Sequence, residues 1–326
     1  MLVTLDQIHK AKANLAGVTH KTPLLFQKEL SEMCENDIYL KLENLQLTGS
    51  FKVRGAFNKV SSLTQKEKEN GVVAFSAGNH GAGTAYAAQV LGIPSTIVMP
   101  NTPNPEKKES IISFGSKVVL GGETSVEMFE KALDIQNTKR MTMIHPFNDP
   151  YIISGQGSVG IEILEDLPEV DVVICAVSGG GLISGVATAI KETRPRTKVI
   201  GVNTEGAQAM YQSIRNGEIT EVEEVNTIAD GLMAKKPGDL TFSHTEKYVD
   251  DLILVSEENI RKTVALLAKT TKTIVEPSGA AAIASLLAGN IKYKKKKVAV
   301  IVSGGNVENK LFTELIQTYS STGGEK

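Results

Sequence analysis

Short apolar runs recur along the chain at residues 38–42, 72–75, 95–99, 117–120, 172–177, 198–203, 252–255 and 298–302. Each is rich in Val, Ile and Leu and has the length of a buried strand. Between most of them apolar residues return three and four positions apart, as in 106–114, 125–135, 257–269 and 278–287, which predicts helices. This strand and helix rhythm predicts an α/β protein with parallel sheets and crossover helices on their faces. A weaker strand-like segment, 142–144, runs into the Pro/Asn-rich connection 145–150, and a fresh helix is expected to open near Gly157. That connection predicts a lobe boundary, with residues 1–50 and 147–326 forming a large domain and 51–146 a small one. The basic run 294–297 reads as a solvated helix end, and 320–326 as a frayed polar tail.

The 326 residues exceed one average domain, and 41% hydrophobic against 22% charged residues leaves ample apolar material for two cores. Lys and Arg number 35 against 37 Asp and Glu, so the net charge of -2 gives no footprint for nucleic acid or an anionic membrane surface. No window approaches the roughly 18 apolar residues of a membrane span, and no signal peptide is read at the N-terminus. Only Cys34 and Cys175 occur, far apart, and Cys175 lies inside an apolar run; reduced thiols and a cytoplasmic location are expected.

Glycine changes the picture. Three strands end in one chemistry: Ser76-Ala77-Gly78-Asn79-His80-Gly81, Ser178-Gly179-Gly180-Gly181 and Ser303-Gly304-Gly305-Asn306, each expected to open a helix. Backbone amides at such helix starts hold anions, and ligands of open α/β sheets lie beyond the carboxyl ends of the strands. Three such loops imply one shared cleft. No Gly-Lys-Ser/Thr closes any of them, so nucleotide hydrolysis drops out. A literal G-x-G-x-x-G at Gly155, Gly157 and Gly160 lacks a preceding strand and reads as close helix packing. The remaining anion is a phosphate monoester on a cofactor. Lys52, in Thr48-Gly49-Ser50-Phe51-Lys52-Val53-Arg54-Gly55, heads a helical stretch where the macrodipole and apolar neighbours disfavour an ammonium, and a neutral amine is what a Schiff base needs.

With Lys41-Leu42-Glu43-Asn44 ahead of the Lys52 segment, and Gly179-Gly180-Gly181-Leu182 and Ser303-Gly304-Gly305-Asn306 behind it, nearly the whole chain resembles the threonine dehydratase and serine racemase family. These are pyridoxal-phosphate enzymes of fold type II, similar in fold to the tryptophan synthase β subunit. The resemblance implies pyridoxal 5'-phosphate held by Lys52 as a Schiff base, with Phe51 beside it. It implies a phosphate cradle from Ser178, Gly179, Gly180, Gly181 and Leu182. Asn79 is implied on the ring 3'-oxygen and Ser303 on the ring nitrogen. A hydroxyl there cannot keep that nitrogen protonated, which favours prompt loss of a β-substituent over transamination.

The substrate carboxylate is implied to rest on Ser76, Ala77, Gly78, Asn79 and His80, Lys52 to take the Cα proton, and the cofactor phosphate to protonate the departing hydroxyl. The activity implied is dehydration and deamination of L-threonine and L-serine to 2-oxobutanoate or pyruvate plus ammonia, by a homodimer or homotetramer. Ala77 stands where the racemases of the family carry a Ser, and a methyl group delivers no proton. Asn203 and Ala209 stand where they carry metal-binding carboxylates, so no metal is expected. Val275-Glu276-Pro277-Ser278-Gly279 is closer to the racemase branch, which keeps serine racemase or a hydroxyaspartate dehydratase as alternatives. A non-catalytic amino-acid or nucleotide-binding protein on the same scaffold is the reading outside enzymes. Only about twenty residues follow Asn306, so the C-terminal regulatory domain of biosynthetic threonine dehydratases is not expected.

Overall fold

The computed structural model describes residues 1–320; the end of the expected polar tail, 321–326, lies outside the described residues. In chain order the elements are α1 (Leu5–Leu15), β1 (Leu24–Phe26), α2 (Lys28–Cys34), β2 (Asp37–Leu42), α3 (Lys52–Ser61), α4 (Gln65–Asn70), β3 (Val72–Phe75), α5 (Asn79–Val90), β4 (Ser95–Met99), α6 (Pro105–Ser113), β5 (Lys117–Leu120), α7 (Ser125–Lys139) and β6 (Thr142–Met143). They continue with α8 (Pro150–Asp166), β7 (Val172–Ala176), α9 (Gly181–Thr193), β8 (Lys198–Thr204), α10 (Ala209–Asn216), α11 (Asp239–Tyr248), β9 (Asp251–Val255), α12 (Glu257–Thr271), α13 (Pro277–Leu287), β10 (Lys297–Val302) and α14 (Asn309–Ser320). Among the described residues no helix is long and apolar enough to cross a membrane.

The strands form two sheets, ordered β1-β2-β10-β7-β8-β9 and β5-β4-β3-β6. All pairs are parallel except β1 on β2. Strand pleat divides each core in two. Val172, Ile174 and Ala176 face one cluster of the large sheet while Val173, Cys175 and Val177 face the other. Val72 and Ala74 part from Val73 in the same way in the small sheet. Helices cover both faces, which is why these strands read as unbroken apolar runs.

Four sequence expectations need correction. Helix α8 begins at Pro150, well before Gly157: the Asp149 carboxylate accepts the N–H groups of Tyr151 and Ile152, and Pro fills the first position, where no donor is needed. The glycine run 155–160 therefore lies inside a helix, where a Cβ on Gly155 would fall 2.6 Å from the Arg54 carbonyl of α3. Strand β5 is not buried, because it is a sheet edge with Lys117 and Leu120 exposed. The basic run 294–297 is no helix end: α13 stops at Leu287, and the run leads into β10, its lysines pairing with Glu35, Asp171 and Glu169. Finally, Ser303-Gly304-Gly305-Asn306 does not open a helix directly. Gly304 pairs with Ser50 in an isolated bridge, residues 305–308 form neither helix nor strand, and α14 starts only at Asn309.

Candidate active site

Each sheet reverses its strand order once. In the large sheet β7, β8 and β9 advance in one direction while β10 lies on the other side of β7; in the small sheet β3, β4 and β5 advance while β6 lies on the other side of β3. Loops leaving such neighbours part, and the crevice between them is where open α/β sheets bind ligands. The four loops concerned are 177–180, 303–308, 76–78 and 144–149.

Lys52, the first residue of α3, reaches one of them. Its Nζ donates to the Pro146 carbonyl at 2.9 Å and stands 5.3 Å from the centre of the Phe51 ring. Burial brings the Lys52 pKa down to about 8, with the Glu276 carboxylate opposing the shift. The next residue, Phe147, packs on the Gly179 loop so closely that a Cβ on Gly179 would lie 2.4 Å from its ring. Gly180 is left-handed, with φ +95, a backbone state that favours glycine. Lys52 and the glycine loop thus meet on one dipeptide. His145 Nδ1 shapes that turn by accepting the N–H groups of Phe147 and Asn148 at 3.2 and 2.8 Å.

A second group of side chains joins the remaining loops. Asn79 Nδ2 donates to Glu276 Oε1 at 2.7 Å, while Asn79 Oδ1 accepts from Asn306 Nδ2 at 2.7 Å. Asn306 also donates to the Thr48 carbonyl at 2.8 Å. Burial pushes the Glu276 carboxyl up to about 7, helped by the charge of Asp230 and opposed by Lys107 and the Asn79 hydrogen bond. Glu276 Oε2 and Ser50 Oγ are buried and have no hydrogen-bond partner within the protein. At the edge of the cleft Lys107 on α6 pairs with Asp230, and Asn309 at the head of α14 donates to Glu106 at 2.8 Å, so α6 is tied to the large-sheet side twice.

Most residues singled out in the sequence lie in these loops, with differences in what they present. The His80 ring is turned inward onto the Ile144 carbonyl at 2.8 Å, and burial holds its pKa near 3, so only its backbone faces the cleft chemistry. Leu182 is buried in the large-sheet core. Ser178 Oγ accepts from Ala234 N at 3.2 Å, and Ser303 Oγ donates to the Ser278 carbonyl at 3.4 Å. Ser76 Oγ accepts from Gly78 N at 3.0 Å, and Ala77 is exposed. Asn203 Nδ2 serves the Val177 and Ala207 carbonyls at 3.0 and 3.2 Å.

Glu276, Asn306, Pro146 and Phe147 were not assigned from the sequence. Glu276 had a signal, a carboxylate beside Pro277-Ser278-Gly279 at a helix start, but nothing local tied it to Asn79. Pro146 acts through its carbonyl, for which residue type carries no signal.

The chain belongs to the pyridoxal-phosphate dependent enzymes, a family that matches residues 15–304. It is 47% identical over 315 residues to the L-threonine ammonia-lyase of Thermotoga maritima, covering 97% of this chain and 78% of that protein. It is 43% identical over 308 residues to the catabolic L-threonine dehydratase TdcB of Escherichia coli strain K12, covering 94% of each. Among solved structures, serine racemase from maize superposes with a TM-score of 0.93 at 35% identity, covering 98% of this chain and 99% of that one. The fold is that of the type II pyridoxal-phosphate enzymes. The cofactor suits the site: an amine with a lowered pKa, a helix start at Gly181 with no side-chain cap on its N–H groups, and unpartnered polar atoms on Ser50 and Glu276 all border the cleft.

Proposed function

We propose that this enzyme is a cytoplasmic ammonia-lyase that converts L-threonine to 2-oxobutanoate and ammonia, and L-serine to pyruvate and ammonia. The relatives named for threonine support the substrate, and one observation carries the reading. The Lys52 amine, brought to a pKa of about 8 by burial, stands where the glycine loop and the Asn79 loop converge.

Pyridoxal 5'-phosphate, when bound, supplies an electron-withdrawing ring that acidifies the α-hydrogen of an attached amino acid. Lys52 would hold it through its amine, with Phe51 alongside. Ser178 and the N–H groups of Gly179, Gly180, Gly181 and Leu182 would hold its phosphate, the helix start favouring a dianion. Asn79, fixed between Glu276 and Asn306, keeps one N–H for the ring oxygen. Ser303 would meet the ring nitrogen with a neutral hydroxyl. The N–H groups of Ala77, Asn79 and His80 would receive the substrate carboxylate, those of Ser76 and Gly78 being engaged by the Val98 carbonyl and Ser76 Oγ, and His80 would contribute backbone alone.

Lys52 then removes the Cα proton. Its pKa of about 8 leaves an appreciable neutral fraction near neutral pH and a conjugate acid able to return the proton. Ala77 offers no proton on its side of the cleft, so L-configuration is retained whenever elimination fails. The same reading takes 1–50 and 147–326 as the cofactor-binding domain and 51–146 as the small domain, joined in a homo-oligomer; both cysteines are free and buried, in keeping with a reducing compartment.

Borohydride reduction of the loaded enzyme followed by peptide mass analysis tests the attachment. A phosphopyridoxyl mass on the Lys52 peptide is expected. Cofactor trapped on another lysine, or a colourless protein that binds the amino acid unchanged, would overturn it. D-serine formed from L-serine as fast as pyruvate would instead favour the racemase reading.

A further inference from the structure

Among the described residues the two largest fully buried side chains are Arg54 and Lys41. They belong to a closed cluster with Glu43 and Glu162. Arg54 Nε and Nη2 donate to the Glu43 carboxylate, each at 2.8 Å, and Nη1 and Nη2 donate to Glu162 at 2.7 and 2.9 Å. Further bonds reach Ser158 Oγ and the His20 carbonyl at 3.1 Å each. Lys41 Nζ completes Glu162 at 2.6 Å and reaches the Thr22 carbonyl at 2.6 Å, while Thr22 donates its hydroxyl to Glu43. Two cations meet two carboxylates, and the Arg54 fork is bonded along its whole edge.

Such a cluster is a poor source of stability, because desolvating four charges offsets most of their attraction; its known use is to fix one arrangement over its alternatives. Its place in the fold says which. Arg54 sits two residues after Lys52 on α3, so the two side chains leave the helix about 200° apart. One side chain points into the cleft, the other into β2, the turn after it and α8. The first turn of α3 has no side-chain cap and carries a cation against the positive end of its dipole. Glycines let the neighbours close on it: a Cβ on Gly83 of α5 would lie 3.0 Å from Val53 N, and one on Gly155 of α8 2.6 Å from the Arg54 carbonyl. The planar, two-sided clamp sets the rotation of this turn, and with it the direction of the Lys52 side chain.

We infer that Arg54, held by Glu43 and Glu162, is the positioning residue for Lys52, keying the head of α3 so that the amine meets Pro146 O beside the glycine loop. This deepens the function proposed above and rests on Lys52 being its reactive amine.

The test compares Arg54→Lys, Glu43→Gln and a destabilised control, Val264→Ala, whose site lies in the large-sheet core on α12. In cofactor-free protein the pH dependence of Lys52 labelling by an amine reagent is followed by peptide mass analysis. With cofactor, kcat and KM for L-threonine are measured. Arg54→Lys, which keeps the charge but loses the fork, is expected to move the labelling midpoint upward from about 8 and to lower kcat at least tenfold with KM changed less than threefold. Glu43→Gln should follow in the same direction, and Val264→Ala should move neither. In the native protein, amide exchange at residues 54–56 should be as slow as in α8, which needs no variant to fold. Fast exchange there, an unchanged midpoint in Arg54→Lys, or an equal loss in the control would overturn the inference. If native protein shows no turnover while the midpoint still moves, the proposed function fails and the positioning stands.

Discussion

Lys52 is useful because it is half-buried: its amine gives up a proton near pH 8, where an ordinary lysine holds one to about 10.5. Lys52→Ala is expected to abolish covalent cofactor and to lower turnover by about 10² to 10⁴-fold from the lost base alone, measured as 2-oxobutanoate release. The same shift has a sign in stability. Between pH 8 and 10.5 the unfolded chain of the cofactor-free protein holds more protons than the folded one, so stability rises with pH across that window. Lys52→Met should flatten that rise in melting temperature. Glu276 runs the other way: its folded pKa of about 7 exceeds the ordinary 4.5, so its contribution falls as pH rises from 4.5 to 7. Glu276→Gln should remove that fall, and an unchanged pH profile of melting would show that the carboxyl is already ionised at acid pH. Ala77→Ser should raise the ratio of D-serine to pyruvate from L-serine, by less than the roughly 10²-fold of a well-supported acid. A ratio unchanged or lowered would remove Ala77 from the choice between elimination and racemisation.

At the scale of elements, the chain pattern was legible wherever a segment is apolar on both faces. Six of the eight runs read as buried strands are interior, whereas β9 and β5 are sheet edges, and the exposure of β5 at both ends is something its apolar composition could not reveal. Helix α8 was read seven residues late because Ser154-Gly155-Gln156-Gly157-Ser158 hides its apolar period, although Asp149-Pro150 is a good helix start. The three strand-end loops and Lys52 were legible because glycine and lysine announce their chemistry locally. Glu276 with Asn79 was not, since that contact joins residues 197 positions apart and depends on how the two sheets face each other. The glycine run of α8 provides the check on packing. Gly155→Ala would drive a methyl into the Arg54 carbonyl, and a loss of about 1 to 3 kcal/mol by chemical denaturation is expected. No loss would mean that α3 and α8 can part without consequence.

The whole molecule places its reactive groups between two sheets with separate cores, linked by α3, α8 and the ties of α6 to the large-sheet side. A ligand held by loops from both sheets stabilises them together, so cofactor at 100 times its Kd should add about 2.7 kcal/mol to the folded state. The resulting rise in melting temperature should be largely absent in Lys52→Ala. The central claim, loss of the β-hydroxyl as water followed by hydrolytic release of ammonia from a β-hydroxy amino acid at Lys52, is read most directly from product stoichiometry. Cofactor-loaded enzyme given L-threonine should release 2-oxobutanoate and ammonia one to one, and Lys52→Ala should release both at least about 10²-fold more slowly. Unequal products, or full release by Lys52→Ala, would contradict it.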